Sequence, residues 1–103
     1  MAVENKRKVS ILGSSGSIGK QTIQVLKLLK DQFEISWLTV NSNIEFLEWQ
    51  IEEFNPKGIV IRDKDVYEEF RKSNNYGGKL LTGEEGLVEA ASDPENDLVV
   101  SAL

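Results

Sequence analysis

The chain has 103 residues and a formal charge of −5, with no histidine and no cysteine; 40% of its residues are apolar and 28% charged. That length suits one domain with a modest core, and the composition is that of a soluble globular chain rather than a disordered tail. The charge balance argues against a nucleic-acid surface, the missing cysteine excludes disulfides and thiolate metal sites, and no apolar run approaches the roughly 20 residues of a membrane span.

The opening "MAVENKRK" has no apolar segment, so it is not read as a secretory signal, and a cytoplasmic protein is the default. "KRK", Lys6 to Lys8, is the only basic run and reads as a solvated chain end. "KVSILG" then places Val9, Ile11 and Leu12 in a buried-strand pattern that stops at Gly13. From Ser17 the period becomes helical, with Ile18, Thr22, Val25, Leu26 and Leu29 on one face. "FEISWLTV", Phe33 to Val40, is a second strand, rich in β-branched and aromatic residues. Ser42 and Glu45 have capping-box spacing for a helix whose stripe is Ile44, Leu47, Ile51 and Phe54, stopped by Asn55-Pro56.

"GIVI", Gly58 to Ile61, is a third strand, and Asp63 caps a short helix through Val66, Tyr67 and Phe70. "NNYGG" breaks the chain before the short strand "KLLTG". Thr82 and Glu85 suggest a second capping box for "GEEGLVEAAS", whose Glu84, Glu85 and Glu89 read as a solvated face rather than metal ligands. "DLVVSAL", Asp97 to Leu103, is a further buried strand. Strands and helices alternating in units of about 25 to 30 residues imply parallel βαβ crossovers and a sheet covered on both faces. The expected fold class is α/β: a Rossmann-like, doubly wound parallel sheet. It is incomplete because the chain stops at a strand, so residues 1–103 read as the N-terminal part of a larger dinucleotide-binding domain.

The segment that carries chemistry is "GSSGSIGKQT", Gly13 to Thr22. A triphosphate P-loop needs G-x-x-x-x-G-K-[ST]; with Gly19-Lys20 as anchor, its first glycine falls on Ser14 and its Ser/Thr on Gln21, so two of four positions fail. Gly13, Gly16 and Gly19 instead give G-x-x-G-x-x-G between a strand and a helix, a variant of the dinucleotide fingerprint. Gly13 permits the tight turn, Gly16 lets backbone approach a pyrophosphate, and Gly19 lets the helix pack close to the sheet. The amides of Ser15, Gly16, Ser17 and Ile18 then face the anion, and Ser14, Ser15 and Ser17 add hydroxyl donors. After the second strand, where an NAD enzyme places an acid for the ribose, stands Asn41-Ser42-Asn43. Neutral donors at a helix start accept the 2′-phosphate of NADP that a carboxylate repels, so NADP is favoured over NAD; helix capping alone also accounts for Ser42 and Asn43.

"KVSILGSSGSIGKQTIQVL", followed by "FEISWLTVNSN", "EEFNPKGIVI" and "GEEGLVEAASDPENDLVVSAL", resembles the opening of the 1-deoxy-D-xylulose 5-phosphate reductoisomerases, from Lys8 to Leu103. The resemblance implies an NADPH-dependent enzyme of non-mevalonate isoprenoid synthesis that rearranges and reduces a deoxyxylulose phosphate. It also implies a divalent metal (Mg2+ or Mn2+), a sugar-phosphate substrate and a homodimer. Carried over by position, Ser15, Gly16, Ser17 and Ile18 contact the cofactor phosphates beside the turn made at Gly13, and Asn41, Ser42 and Asn43 surround the 2′-phosphate. Ser101 to Leu103, centred on Ala102, bring backbone near the cofactor. The family often has glycine at the position of Asn41 and a basic residue at that of Ser42, so here the 2′-phosphate turn has only neutral donors. The family's catalytic, metal-binding and substrate-phosphate residues fall beyond Leu103, so none is assigned in this chain. Two alternatives remain open at this stage: the cofactor domain of another NADP-dependent dehydrogenase of the semialdehyde type, and a non-catalytic nucleotide-binding module.

Overall fold

A computed structural model describes residues 6–73 and 75–103. "MAVEN" and Asn74, the first residue of the "NNYGG" break, lie outside them. The elements are β1 (Arg7–Leu12), α1 (Ser17–Leu28), β2 (Phe33–Val40), α2 (Ile44–Phe54), β3 (Gly58–Ile61), α3 (Lys64–Ser73), β4 (Lys79–Thr82), α4 (Gly83–Ser92) and β5 (Leu98–Ser101). The five strands form one parallel sheet in the order β4-β3-β2-β1-β5. Three crossovers step outward from β1 to β4; the fourth returns to place β5 on the other side of β1.

That reversal sets the layers. Val9, Ile11, Ile35, Leu38, Val40, Ile59 and Ile61 pack with Ile23 and Leu26 of α1, Leu47 of α2 and Phe70 of α3. The opposite face holds a smaller cluster, Trp37 and Val60 with Ala90 of α4 and Leu81 beside them. Both faces are therefore covered, the second by a single helix. β2 reconciles the two through a bulge: Val9 pairs with Ile35 but Ser10 with Trp37, so Ser36 is an extra residue.

Several expectations from the sequence need correction. Arg7 and Lys8 are not a loose chain end but the first residues of β1, and the Lys8 amide donates to Asp97 Oδ2 at 2.7 Å. The inner face of α1 is Gly19, Ile23 and Leu26, whereas Ile18 and Val25 are 60% and 53% exposed. The cause is Gly19. A Cβ there would overlap the Gly13 carbonyl, so the glycine, not its bulkier neighbour, faces inward and sets the helix's rotation. The cap of α2 is Asn43, whose Oδ1 accepts the Phe46 amide at 3.2 Å; Ser42 lies outside it. Thr82 precedes α4 without a side-chain cap, because its hydroxyl donates to the Ile61 carbonyl at 2.7 Å. β5 is not buried: it forms the sheet's edge, with Leu98 and Val99 43% and 41% exposed. Asp63, by contrast, caps α3 as read, accepting from the amides of Asp65 and Val66.

Candidate functional site

The C-terminal ends of β1 and β5 meet at the point where the strand order reverses, the position at which open α/β sheets form their ligand crevice. Gly13 leaves β1 at φ +83, a left-handed conformation that glycine adopts without a steric penalty. Its amide donates to Thr39 at both the carbonyl (3.1 Å) and Oγ1 (2.9 Å), and the Ser14 amide reaches the same carbonyl at 2.8 Å. On the other side the Ala102 amide donates to Leu12 O at 2.8 Å, and a Cβ at Gly13 would lie 3.0 Å from the Ala102 carbonyl. The turn is thus clamped between the ends of β2 and β5.

Ser14 departs from its expected role as an anion donor. It is fully buried, its hydroxyl donates to Gln50 Oε1 at 2.8 Å, and Gln50 Nε2 donates to the Ser14 carbonyl at 3.1 Å. Gln50 is fully buried too. The hydroxyls left for a ligand are those of Ser15, half-buried, and Ser17, exposed.

Gly16 is the N-cap of α1, in extended backbone (φ −79, ψ 178), with no side-chain cap among the described residues. The first turn of α1 holds no acidic residue. A Cβ at Gly16 would only touch the Gly13 and Ala102 carbonyls, at 3.9 Å, so no atom crowds the start of the helix at this position. Uncapped N–H groups at the positive end of a helix, reached without obstruction, form an anion cradle. Ser17 and Ile18 are exposed along it, and Ala102 is half-buried at its edge.

Asn41, Ser42 and Asn43 lie exposed beyond β2. The Asn41 carbonyl accepts the Asp63 amide at 3.0 Å, which fixes this turn to the end of β3. With Asn43 Oδ1 engaged in the cap, the amide group of Asn43, the Asn41 side chain and the Ser42 hydroxyl are the neutral donors available. Arg62, the next cation along this edge, pairs with Glu84. Lys20, on the first full turn of α1, has its Nζ 4.8 Å from the Phe46 ring centroid, above the first turn of α2.

Sequence reasoning missed Thr39, Gln50 and Lys20. The first two carried a signal. Thr39 is a polar residue inside an apolar strand, and Gln50 falls three residues after Leu47 on the buried stripe of α2. For Lys20 there was none, since its position depends on how two helices pack. Among the described residues no cluster of three or more carboxylate, imidazole or thiolate groups is placed to hold a metal, and no helix is long and apolar enough to cross a membrane. The cleft between Lys30, Phe33 and Phe54 opens at the other end of the sheet.

The sequence model of the family described as 1-deoxy-D-xylulose 5-phosphate reductoisomerase matches residues 9–103. The chain belongs to that family. The reductoisomerase of Geobacillus sp. (strain WCH70) is 41% identical over 97 residues, covering 92% of this chain and 25% of the relative. Among solved structures, a DOX-P reductoisomerase in complex with magnesium superposes with a TM-score of 0.84 at 29% identity, covering 96% of this chain and 25% of that one. The reductoisomerase of Zymomonas mobilis in complex with NADPH gives a TM-score of 0.76 at 30% identity, covering 84% and 23%. The chain therefore spans about a quarter of the length of the curated relatives it matches. Family membership decides against the semialdehyde-dehydrogenase alternative, and the shared architecture bears out the Rossmann-like reading.

Proposed function

We propose that residues 1–103 are the N-terminal part of the NADPH-binding domain of a reductoisomerase. That enzyme converts 1-deoxy-D-xylulose 5-phosphate to 2-C-methyl-D-erythritol 4-phosphate in non-mevalonate isoprenoid synthesis. The catalytic and C-terminal domains, with the carboxylates for Mg2+ or Mn2+, belong to the remainder of a longer polypeptide. It works as a cytoplasmic homodimer on a small sugar-phosphate substrate.

One observation carries this reading: the uncapped, sterically open start of α1 at the sheet's reversal point. A dinucleotide pyrophosphate fits there because glycine leaves its approach clear, a Cβ at Gly16 having only the Gly13 and Ala102 carbonyls near it, at 3.9 Å. Gly13 shapes the turn. The amides of Ser15, Gly16, Ser17 and Ile18 and the hydroxyls of Ser15 and Ser17 hold the pyrophosphate oxygens. Asn41, Ser42 and Asn43 donate to the adenosine 2′-phosphate, and the backbone at Ala102 borders the cofactor on the β5 side. When bound, NADPH supplies the hydride that reduces the rearranged aldehyde. This chain orients it from a turn that Thr39, Gln50 and Ala102 hold rigid.

The deciding experiment assays the full-length protein with 1-deoxy-D-xylulose 5-phosphate, NADPH and magnesium. Substrate-dependent NADPH oxidation is expected. A folded full-length protein that oxidises no NADPH in response to substrate overturns the reading.

A further inference from the structure

The proposed 2′-phosphate turn contains no cation, yet its ligand is a dianion. Asn41, Ser42 and Asn43 are all neutral, and Glu45 puts a negative charge into the adjoining first turn of α2. Neutral donors give roughly half the hydrogen-bond strength of charge-assisted ones, so a full positive charge near this turn decides how well a 2′-phosphate is distinguished from a hydroxyl.

The packing of α1 on α2 brings one there. Phe46 and Trp49 stack along α2 with centroids 5.6 Å apart, and each ring carries a lysine from α1: Lys20 over Phe46 at 4.8 Å and Lys27 over Trp49 at 5.6 Å. The two lysines are not equivalent. Lys27 is also 3.8 Å from Glu53, so a carboxylate already balances it. No such partner holds Lys20 among the described residues; its one recorded contact is the ring face. Phe46 is the residue whose amide Asn43 caps, so the ring under the ammonium belongs to the first turn of α2, which directly follows the 41–43 segment. Of the other cations near this edge, Arg62 pairs with Glu84 and Lys64 lies with its Cε toward Gly83 at the start of α4. A cation–π contact at an exposed site contributes about 0.5–1 kcal/mol, weak enough to be exchanged for a phosphate dianion.

We propose that Lys20 supplies the positive charge that reads the 2′-phosphate of NADPH, so that a first-turn residue of α1 does the work of the missing cation in the 41–43 turn. The inference rests on the reading of this chain as an NADPH-binding segment and adds a specificity-determining residue to it. Phe46 serves as the rest position that keeps the ammonium at the α2 start before the cofactor arrives.

The test compares NADPH and NADH binding by titration calorimetry in the full-length protein, for the wild type, Lys20→Ala, Lys20→Arg and Lys20→Ala combined with Ser42→Lys. Loss of one charge-assisted contact predicts about tenfold weaker NADPH binding for Lys20→Ala. NADH binding should be unchanged, because it carries no 2′-phosphate; that second ligand also reports that the variant is folded. Lys20→Arg should retain the preference, and adding Ser42→Lys should restore it by putting the cation back into the turn. A Lys20 that merely packs α1 on α2 would weaken both cofactors equally or neither. An unchanged NADPH-to-NADH ratio in Lys20→Ala therefore overturns the inference while leaving the parent reading intact. A wild-type protein that binds no NADPH overturns both.

Discussion

Ser14 and Gln50 exchange two hydrogen bonds across a gap of 36 residues, hydroxyl to amide oxygen and amide nitrogen to carbonyl, with neither residue reaching solvent. The pairing satisfies one glutamine with one serine and leaves no buried side-chain polar atom unpartnered among the described residues. It also ties the glycine turn to the middle of α2. The two walls of the proposed cofactor site, the glycine turn and the start of α2, are thereby held in fixed relation before any ligand binds.

Removing one partner strands the other. Ser14→Ala leaves Gln50 Oε1 buried without its donor and should cost about 1–3 kcal/mol in urea denaturation. Gln50→Leu should cost a similar amount. Because the two residues share one interaction, the double variant should lose clearly less than the sum. Additive losses would show that the pair is not a unit.

The glycines of the turn separate folding from binding. A methyl at Gly16 meets nothing nearer than 3.9 Å at an ordinary φ of −79, so Gly16→Ala should cost no more than about 1 kcal/mol, the difference between glycine and alanine at an N-cap. In the proposed cofactor mode the same methyl enters the path of the pyrophosphate, so NADPH affinity in the full-length protein should fall about tenfold or more. Gly19→Ala should do the reverse. Its Cβ overlaps backbone that cannot move aside, predicting a loss of about 1–3 kcal/mol in thermal unfolding.

At the far end of the sheet, Asp93 accepts from Lys57 Nζ at 2.6 Å and from Trp37 Nε1 at 2.8 Å, while its other oxygen takes the Glu95 amide at 2.9 Å. The Lys57 bond first, then those from Trp37 and Glu95, hold the carboxyl well below the usual aspartate range. A depressed carboxylate pKa means that the unfolded chain binds the proton more readily than the native one. Stability from this group is therefore present above about pH 4 and is lost as the pH falls further. Asp93→Asn should lower stability at pH 7 by about 1 kcal/mol and flatten the acid side of a stability–pH curve. An unchanged acid slope would count against it.

Tyr76 gives the opposite dependence. Its hydroxyl donates to the Pro56 carbonyl at 2.7 Å, and burial pushes its pKa up to about 12. Gly78 leaves the room, since a Cβ there would overlap the phenol. Ionisation is easier in the unfolded chain, so stability holds below about pH 10 and declines as the pH rises through 12. Tyr76→Phe should remove that alkaline decline and cost about 1 kcal/mol at neutral pH, read by denaturation at pH 7 and pH 11.

The strands were legible because a sheet buried on both faces demands near-continuous apolar runs: "FEISWLTV" and "GIVI" coincide with β2 and β3. The turn was legible because only glycine suits φ +83 at Gly13 and only a residue without a side chain suits Gly19. What escaped depended on partners remote in the chain. Apolar periodicity places Ile18 inside, but contact of Gly19 with the turn rotates it out. Spacing makes Ser42 and Thr82 box caps, but Asn43 claims one helix start and Ile61 O takes the Thr82 hydroxyl. Serine chemistry offers Ser14 to a ligand, but Gln50 holds it.

The bulge in β2 gives this strand slack. With Ser36 unpaired in the β1 register, Ile35, Trp37 and Leu38 alternate between the two layers as though consecutive, and Thr39 reaches the glycine turn in step with β1 and β3. A change of chain length can thus be absorbed upstream without transmitting a slip to the ligand-facing end. Excising Ser36 should straighten the strand while Gly13 keeps its anchor on Thr39, leaving the crevice end of the sheet in register.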